Sequence, residues 1–275
     1  MVKIPEIVEV QIQVEGLRET ILKDTFKEII FEDRGEKIIR PFEKKDFRKL
    51  LVGRRVEEVS RIGKYIIFKL DNDLQVATHL RMTGRFTVDV SEDVVSHTRI
   101  RFKMKSGKEL RYSDVRIFGR IVVVDDVSSL EKGLDALESP EDDILKELKR
   151  GAKKYPDKNV KEFLMSQKVI SGLGNVYVNE ILFRSGLFPG KLISELTSPQ
   201  YKKLAHTIKT ILRWSYDLGG LSLKDYFHVD GSQGRTQRHL NVYQNERCQK
   251  CLAKVYKSDK FDTRSTYYCY NCQPK

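Results

Sequence analysis

The chain contains 275 residues, of which 40% are hydrophobic and 33% are charged. This composition suits one or two globular domains and excludes a disordered chain, while the lack of an apolar run near ~18 residues excludes a membrane-spanning helix. Lys and Arg number 51 against 39 Asp and Glu, and the net charge of +12 favours a polyanionic partner, with nucleic acid first. The N-terminal residues lack the apolar core of a signal peptide, which predicts a cytoplasmic protein.

The first periodic segment of the chain fits two structures. Apolar residues recur at helical spacing from Ile7 to Ile21, yet between Val8 and Val14 they also alternate as in a strand. Periodicity alone does not separate the two structures over such a short segment. A helix and a strand both remain open on these residues.

The next part of the chain has the pattern of short strands. Runs of β-branched or alternating residues occupy 65–70, 75–80, 85–90, 98–104 and 120–124. Polar turn signals separate the runs, including Asp71-Asn72-Asp73. Such spacing predicts an antiparallel sandwich or barrel.

The chain changes character near residue 135 and becomes helical. Ser139 and Pro140 are typical of a helix start, with Ser139 as the capping residue and Pro140 at the first helical position. Ser198 and Pro199 indicate a second start. Further apolar periodicity runs through 160–165, 176–183 and 201–218.

All four cysteines lie near the C-terminus, in the pairs Cys248-x2-Cys251 and Cys269-x2-Cys272. This spacing matches two thiolate turns that close a tetrahedral Zn²⁺ site across a β-hairpin, and disulfides are rare in cytosolic chains. Four Cys ligands leave no open coordination position. The sequence therefore predicts one structural Zn²⁺ per chain.

These segments predict an α+β protein in three parts. An N-terminal domain built on an antiparallel β-sandwich is expected over 1–130, a helical domain over 131–243 and a zinc finger, or zinc ribbon, over 244–275. The acidic segment 125–138 is the expected linker between the first two parts.

Two local motifs carry functional signals that are weak when taken alone. Gly172, Gly174 and Asn175 lie between predicted helices. They suit a tight turn with left-handed backbone and free amides at the start of the following helix. Such a turn either binds a phosphate or serves only to connect the two helices. Arg116 and Phe118 project together from a loop or lie on one face of a strand. Neither motif by itself decides a function.

Several short motifs nevertheless follow one another in a characteristic order. They are Pro5-Glu6, Gly63-Lys64-Tyr65, His79 to Gly84, Asp114 to Gly119, Gly172 to Tyr177 with Glu180, and Arg264 to Cys269. In this order, with the four terminal cysteines, nearly the whole chain resembles the formamidopyrimidine-DNA glycosylase and endonuclease VIII family of base-excision repair. The resemblance implies an N-terminal helix and a β-sandwich, followed by a helix-two-turn-helix domain and a zinc finger.

The same resemblance implies a partner and two groups of binding side chains. The partner is double-stranded DNA that contains a damaged or abasic nucleotide. The side chains implied to hold DNA phosphates are Lys64, His79, Asn175 and Arg264. The side chains implied to fill the space left by an everted nucleotide are Met82, Arg116 and Phe118, although packing in the core is the alternative for Met82 and Phe118.

The N-terminus departs from the family pattern. Family members typically begin Met-Pro-Glu, where the proline amine attacks the sugar and the Glu transfers protons, whereas Val2 and Lys3 stand at these positions here. Removal of Met1 would expose an N-terminal amine, which ordinarily has a pKa of about 8 and can form a Schiff base. Lys3 cannot relay a proton as a carboxylic acid does. Its own amine is instead a candidate to react with the aldehyde of a site that is already abasic, and the alternative is a cation that only attracts phosphates. Glu6 is a candidate for partial replacement of the missing carboxylate.

Three functions are compatible with these features. The first is a damaged-DNA binding protein that prefers abasic sites and whose glycosylase chemistry is lost or strongly reduced. The second is an active bifunctional DNA glycosylase and AP lyase that uses the Val2 amine. The third, a zinc-ribbon module for protein contacts, accounts poorly for the phosphate-binding residues. A monomer is expected, associated with the nucleoid if the source is bacterial.

Overall fold

The computed structural model of the chain describes residues 5–89, 96–130, 133–222 and 227–275. The chain divides into two compact units. The first unit comprises Met1–Glu131 together with Gly219–Arg235, and the second comprises Lys132–Leu218 together with Thr236–Lys275. None of the helices in the described ranges has the length and apolarity that a membrane crossing requires.

The first unit is a pair of four-stranded antiparallel sheets with associated helices. Its described helices and strands are α1 (Ile7–Ile21), α2 (Lys44–Leu51), β1 (Phe26–Phe31), β2 (Val56–Ile62), β3 (Tyr65–Leu70), β4 (Gln75–His79), β5 (Arg85–Val88), β6 (Thr98–Met104), β7 (Glu109–Ser113) and β8 (Arg120–Val124). The strand orders are β1-β6-β7-β5 and β2-β3-β4-β8. The predicted N-terminal helix and antiparallel sandwich are thus confirmed.

Helix α1 contacts strands of both sheets and supplies part of their shared core. Val10, Val14 and Leu17 are fully buried, and so are polar residues between them, Glu9 and Gln13. Because most sides of its first turns are covered, the helix lacks the polar stripe that separates a surface helix from a strand in sequence patterns. The helical alternative for this segment is therefore the correct one.

A segment from much later in the chain completes the first unit. The Leu221 amide donates to Glu9 Oε1 at 2.8 Å, and Gln13 Nε2 donates to the Phe227 carbonyl at 3.0 Å. The Val88 amide donates to the Val229 carbonyl at 2.9 Å, which extends the edge of β5. Burial of Val229 in the core fixes Gly219–Arg235 on this unit. The predicted division into 1–130, 131–243 and 244–275 assigns that segment to the helical domain and remains a prediction.

The second unit is helical and ends in a β-ribbon. Its described elements are α3 (Glu141–Lys154), α4 (Val160–Met165), α5 (Asn175–Ser185), α6 (Ser198–Asp217), β9 (Leu134–Asp135), β10 (Ile170–Ser171), β11 (Tyr256–Ser258) and β12 (Thr266–Tyr268). Strands β9 and β10 pair in parallel, and β11 and β12 pair antiparallel. The end of the predicted linker is therefore built into this unit through β9.

The predicted helix starts are displaced by one residue. Pro140, and not Ser139, occupies the capping position of α3 and does so without a side-chain hydrogen bond. Thr197 caps α6 and forms a reciprocal capping box with Gln200, so that Ser198 is already helical. A threonine hydroxyl satisfies helix-start amides as a serine hydroxyl does, and the choice between neighbouring caps depends on the local backbone.

The sequence pattern missed β1, β2, β7 and α2. These elements have solvent-facing sides that carry many charges, which interrupt the apolar alternation on which the prediction depends. In β1, Glu28 instead pairs across the sheet with Lys103 at 2.9 Å between Oε2 and Nζ. Cross-strand charge pairs stabilise such edges, but their partners are distant in sequence.

Replacing Gly16 of α1 by alanine tests how closely the segment Gly219–Arg235 packs against this helix. Alanine ordinarily stabilises a helix by about 1 kcal/mol relative to glycine, but here the added Cβ would lie 2.9 Å from Val229 Cβ. Overpacking of this kind costs about 1–3 kcal/mol. We therefore expect Gly16→Ala to lower the free energy of unfolding, measured by urea denaturation. Val229→Gly removes that Cβ and the methyl groups beyond it. The double variant with Val229→Gly should be more stable than the sum of the single effects, and simple additivity would contradict the packing argument.

Candidate functional site

Several of the predicted site residues lie at one end of the sheet β2-β3-β4-β8. Tyr65 at the start of β3 pairs with His79 at the end of β4, and His79 also pairs with Arg120 at the start of β8. The β2–β3 turn with Lys64, the loop with Met82 and the loop that precedes β8 consequently leave the sheet at this end. Strand pairing, rather than proximity in sequence, brings these segments together.

His79 is held on this sheet end by its neighbours. Its ring meets the Tyr65 ring edge-on, with 4.8 Å between the centroids. The Arg81 amide donates to His79 Nδ1 at 2.9 Å, so a neutral ring carries its proton on Nε2. Gly63, with φ of +55°, makes the turn that places Lys64 beside this pair. Lys64 and His79 are both half-buried.

Arg116 and Phe118 lie in a loop between β7 and β8, and not on a strand. Both side chains are exposed, Phe118 to 48%, so Phe118 is not a core residue. The guanidinium carbon of Arg116 lies 4.6 Å from the centre of the Phe118 ring. Ile117 between them has a φ of +57°, a strained conformation for a β-branched residue. Met82, in the neighbouring loop, is half-buried.

In the second unit, the connection between α4 and α5 is a tight turn fastened by Gln167. The Gly172 amide donates to Gln167 Oε1 at 2.8 Å, and Gln167 Nε2 donates to the Leu173 carbonyl at 2.6 Å. Gly172 has the predicted left-handed backbone, with φ of +90°, whereas Gly174 is extended and caps α5. Asn175 therefore occupies the first position of that helix.

Asn175 is connected to the segment that carries Arg264. Its Nδ2 donates to the Ser265 carbonyl at 3.0 Å, while Lys161 Nζ donates to its Oδ1 at 2.6 Å. Lys161 is fully buried. Arg264 is exposed, and its Nε lies 4.0 Å from Asp262 Oδ2. The second unit thus brings the predicted residues Asn175 and Arg264 together.

The sequence analysis missed Lys161, which fixes the orientation of the Asn175 amide. The available signal was a cation inside the apolar run 160–165. A lysine on the inner side of a helix requires a buried acceptor. That acceptor lies on another helix, which the sequence pattern does not show.

Two further side chains of α5 secure the chain around the ribbon. Asn179 Oδ1 accepts from the Tyr267 amide of β12 at 2.7 Å. Glu180 is buried, and its carboxylate accepts from the backbone amides of three consecutive residues at 2.8–3.0 Å; these residues are Asn241, Val242 and Tyr243. A buried carboxylate satisfied in this way holds the entry to the ribbon in one conformation.

The four cysteines converge, with all their Sγ atoms within 4.8 Å of one another. The Sγ–Sγ distance is 3.9 Å for Cys248 and Cys272 and 3.5 Å for Cys251 and Cys269. A tetrahedron with metal–sulfur bonds of ~2.3 Å has sulfur atoms roughly 3.8 Å apart. All four cysteines are free, so the disulfide alternative is wrong for this structure. The donor set fits a tetrahedral metal ion.

Backbone hydrogen bonds shape this cysteine cluster. A bond from the Ala253 amide lowers the pKa of Cys251 to about 7. Gln273 is fully buried, and its Nε2 donates to the Leu187 carbonyl while its Oε1 accepts from the Cys269 amide. The second cysteine pair is therefore anchored to the end of the α5 region.

Val2 and Lys3 lie outside the described residues, whereas Glu6 is described and buried. Glu6 and Glu9 form a reciprocal capping box at the start of α1, in which the Glu6 amide donates to Glu9 Oε2 at 2.9 Å. The second Glu9 oxygen accepts from Leu221. Both carboxylates thus take part in holding the backbone.

Comparison with known proteins gives the family of the chain. Residues 4–121 match the model of the formamidopyrimidine-DNA glycosylase N-terminal domain, and residues 133–226 match the model of the formamidopyrimidine-DNA glycosylase H2TH domain. The formamidopyrimidine-DNA glycosylase of Ureaplasma parvum is 34% identical over 98% of this chain and 99% of its own length. That of Enterococcus faecalis is 34% identical over 98% and 97%. The chain belongs to the formamidopyrimidine-DNA glycosylase family.

Solved structures agree with this membership. The Lactococcus lactis Fpg in complex with DNA that contains an abasic site superposes with a TM-score of 0.84 at 28% identity, over 98% of this chain and all of that one. The same protein in complex with DNA that contains N7-benzyl-Fapy-dG gives the same values. The predicted family and fold class are confirmed, and the roles of the individual site residues remain predictions.

Proposed function

We propose that this protein binds double-stranded DNA at damaged or abasic nucleotides and that its glycosylase chemistry is lost or strongly reduced. The observation that carries the binding proposal is the exposed pair Arg116 and Phe118, held side by side on one loop. The guanidinium lies over the ring while about half of the ring stays exposed, so both groups are available to a partner. A DNA stack with a missing base offers one, because the ring can wedge into it and the Arg can bond to the orphaned base.

Phosphate contacts account for the basic composition. Lys64 supplies a cation, Arg264 supplies a second one, and Asn175 supplies an amide whose oxygen is already bonded to Lys161. His79 can donate from Nε2 because its Nδ1 accepts from the Arg81 amide. Contacts of this kind position DNA without reading its sequence. The Lactococcus lactis protein, whose complex contains an abasic site, supports this choice of partner.

Loss of base excision is proposed from the residues at the N-terminus. Lys3 replaces the carboxylate that family members place beside the nucleophilic amine, and a protonated amine has no acceptor site with which to take up a proton as a carboxylate does. Glu6 and Glu9 are the nearest described carboxylates in the sequence, and both are buried and bonded to backbone amides at the start of α1. Their structural roles argue against either acting as a substitute acid.

An active glycosylase and AP lyase is the second candidate function. It is favoured by the retention of Lys64, Asn175 and Arg264 in the family motifs, since an enzyme needs the same contacts to DNA phosphates. In that case the Val2 amine, once Met1 is removed, would attack the sugar carbon and displace the base. The two candidates differ in chemistry, and they use the same DNA-binding residues.

We further propose that the cysteine cluster holds Zn²⁺. The convergence of four Cys sulfur atoms fits this ion, which prefers a closed set of thiolates in structural sites. The ion would hold Cys269 and with it β12, which follows the Arg264 loop directly. Its role is therefore to orient a DNA-binding side chain.

Binding experiments test the first proposal. Arg116→Ala and Phe118→Ala should each erase most of the preference for a duplex with a tetrahydrofuran abasic analogue over an intact duplex, because intact DNA has no space for these groups. The preference is measured as the ratio of dissociation constants in competition titrations at fixed salt. Equal binding of both duplexes by the unmodified protein would refute the proposal.

Lys64→Ala is the matched control for these titrations. It should weaken binding to both duplexes alike and leave their ratio unchanged. It should also reduce the slope of log affinity against log salt by about 0.9, since one phosphate contact is lost. A changed ratio would mean that Lys64 contributes to damage recognition itself.

A chemical experiment separates the two candidate functions. With Lys3 in place, we expect no release of an oxidised base in single-turnover reactions on the minute scale, although the protein binds the abasic product analogue. Lys3→Glu restores the missing carboxylate and should raise excision if Met1 is removed, which intact mass measures. Base release by the unmodified protein on that scale would establish the active enzyme, and borohydride trapping followed by peptide mapping would locate the adduct.

Metal analysis tests the zinc proposal. We expect one Zn²⁺ per chain by elemental analysis and the loss of abasic-duplex binding in Cys269→Ser, because the ribbon no longer orients Arg264. Asn271, which lies between Cys269 and Cys272, is exposed, and Asn271→Ser should retain both the metal and most of the binding. Tight abasic binding by the chelated, metal-free protein would contradict this role.

A further inference from the structure

The loop that carries Met82 and the loop that carries Arg116 and Phe118 share one buried polar junction. Thr83 Oγ1 donates to Asp114 Oδ1 and accepts from the Arg116 amide at 3.0 Å. The Arg116 amide also lies 3.1 Å from Asp114 Oδ1. Asp114 is fully buried, and Thr83 is 6% exposed. The Thr83 side chain of the first loop is therefore bonded both to the Asp114 side chain and to the Arg116 backbone of the second loop.

Asp114 spans its own loop from end to end. Its Oδ1 accepts from the Arg116 amide near the start of the loop, and its Oδ2 accepts from the Gly119 amide at the end of the loop at 2.8 Å. From the opposite side, Arg99 Nε donates to the Asp114 carbonyl at 2.9 Å, and Arg99 Nη1 donates to Asp33 Oδ2 at 3.0 Å. With both ends of the loop fixed, Ile117 retains its strained left-handed conformation.

Tyr112 forms the floor beneath both loops. A Cβ at Gly84 would lie 2.3 Å from the Tyr112 hydroxyl oxygen, and a Cβ at Gly119 would lie 1.8 Å from it. The phenol thus touches the backbone of each loop, where no side chain fits. Burial raises the pKa of Tyr112 well above its ordinary value, so the phenol stays neutral. The contacts of the Tyr112 hydroxyl with the backbone at Gly84 and Gly119 therefore restrict independent movement of the two loops.

We propose that Thr83 and Asp114 are positioning residues that lock the Met82 loop and the Arg116–Phe118 loop into a single preformed wedge. The proposal rests on the proposed function, in which the wedge enters the gap at an abasic site. Thr83 and Asp114 are buried and would act only through the side chains they hold. A preformed wedge gains affinity for the gap because the loop-ordering cost is met before DNA arrives.

Thr83→Val and Thr83→Ser test this assignment. The valine keeps the shape but removes both hydrogen bonds of the hydroxyl, so the preference for the abasic duplex over the intact duplex should fall about tenfold. The serine keeps the hydroxyl and should restore the preference. Affinity for the intact duplex should be unchanged in both variants, since that duplex does not accept the wedge.

Thr87→Val is the matched control. Thr87 is buried on β5, and its hydroxyl has no hydrogen-bond partner among the residues that the structure describes. The same substitution there should leave the abasic preference unchanged. Asp114→Asn is the second test variant, because both carboxylate oxygens accept from backbone amides, of Arg116 and of Gly119, and an amide nitrogen at either position cannot accept. It should lose the preference without a change in volume.

A fluorescent adenine analogue opposite the abasic site reports the wedge directly. The unmodified protein should raise its fluorescence by unstacking it, and Thr83→Val and Asp114→Asn should not. If both variants keep the preference while Arg116→Ala loses it, the positioning assignment is wrong. An equal loss of affinity for both duplexes would also overturn it, as a general structural effect. If Arg116→Ala keeps the preference too, the proposed function fails instead.

Discussion

The functional loops of this protein depend on one constraint, that a buried charged or amide side chain must find hydrogen-bond partners. At buried positions these side chains bond to the backbone around them, and each one fixes a loop in doing so. Buried Asp114 closes the loop between β7 and β8, and buried Glu180 holds the chain that leads to the ribbon. The half-buried Gln167 closes the turn before α5 in the same way. The positions of the exposed side chains on these loops are therefore set by the hydrogen-bonded side chains beneath them.

The same constraint explains how residues far apart in sequence act together within each unit. Glu9 and Gln13 of α1 bind the backbone of a segment more than two hundred positions later. Lys161 and Asn175 connect α4, α5 and the segment around Arg264. A DNA-binding surface needs fixed donors, because every freely moving side chain loses conformational entropy on binding. Buried polar contacts remove that cost in advance.

The departure at the N-terminus gives this family member its particular interest. The residues proposed to bind DNA occur in the family motifs, but Lys3 stands at the position where family members typically carry an acid. Binding depends on many separate contacts and tolerates the loss of one, whereas general acid catalysis depends on a single positioned group. A chain of this kind can therefore keep recognition and lose excision.

The sequence by itself determined the family and the fold class, and it predicted the convergence of the four cysteines, since cysteine spacing and short motifs are local signals. It left α1 open between helix and strand, because burial on most sides removes the polar stripe that marks a helix. It missed β1, β2 and β7, whose charged residues interrupt the apolar alternation; Glu28 of β1, for example, pairs across the sheet with Lys103. Only the tertiary structure decided that Gly219–Arg235 returns to the first unit and that Lys161, Thr83 and Asp114 support the site. Their partners lie on other elements, and a one-dimensional pattern does not contain contacts between elements.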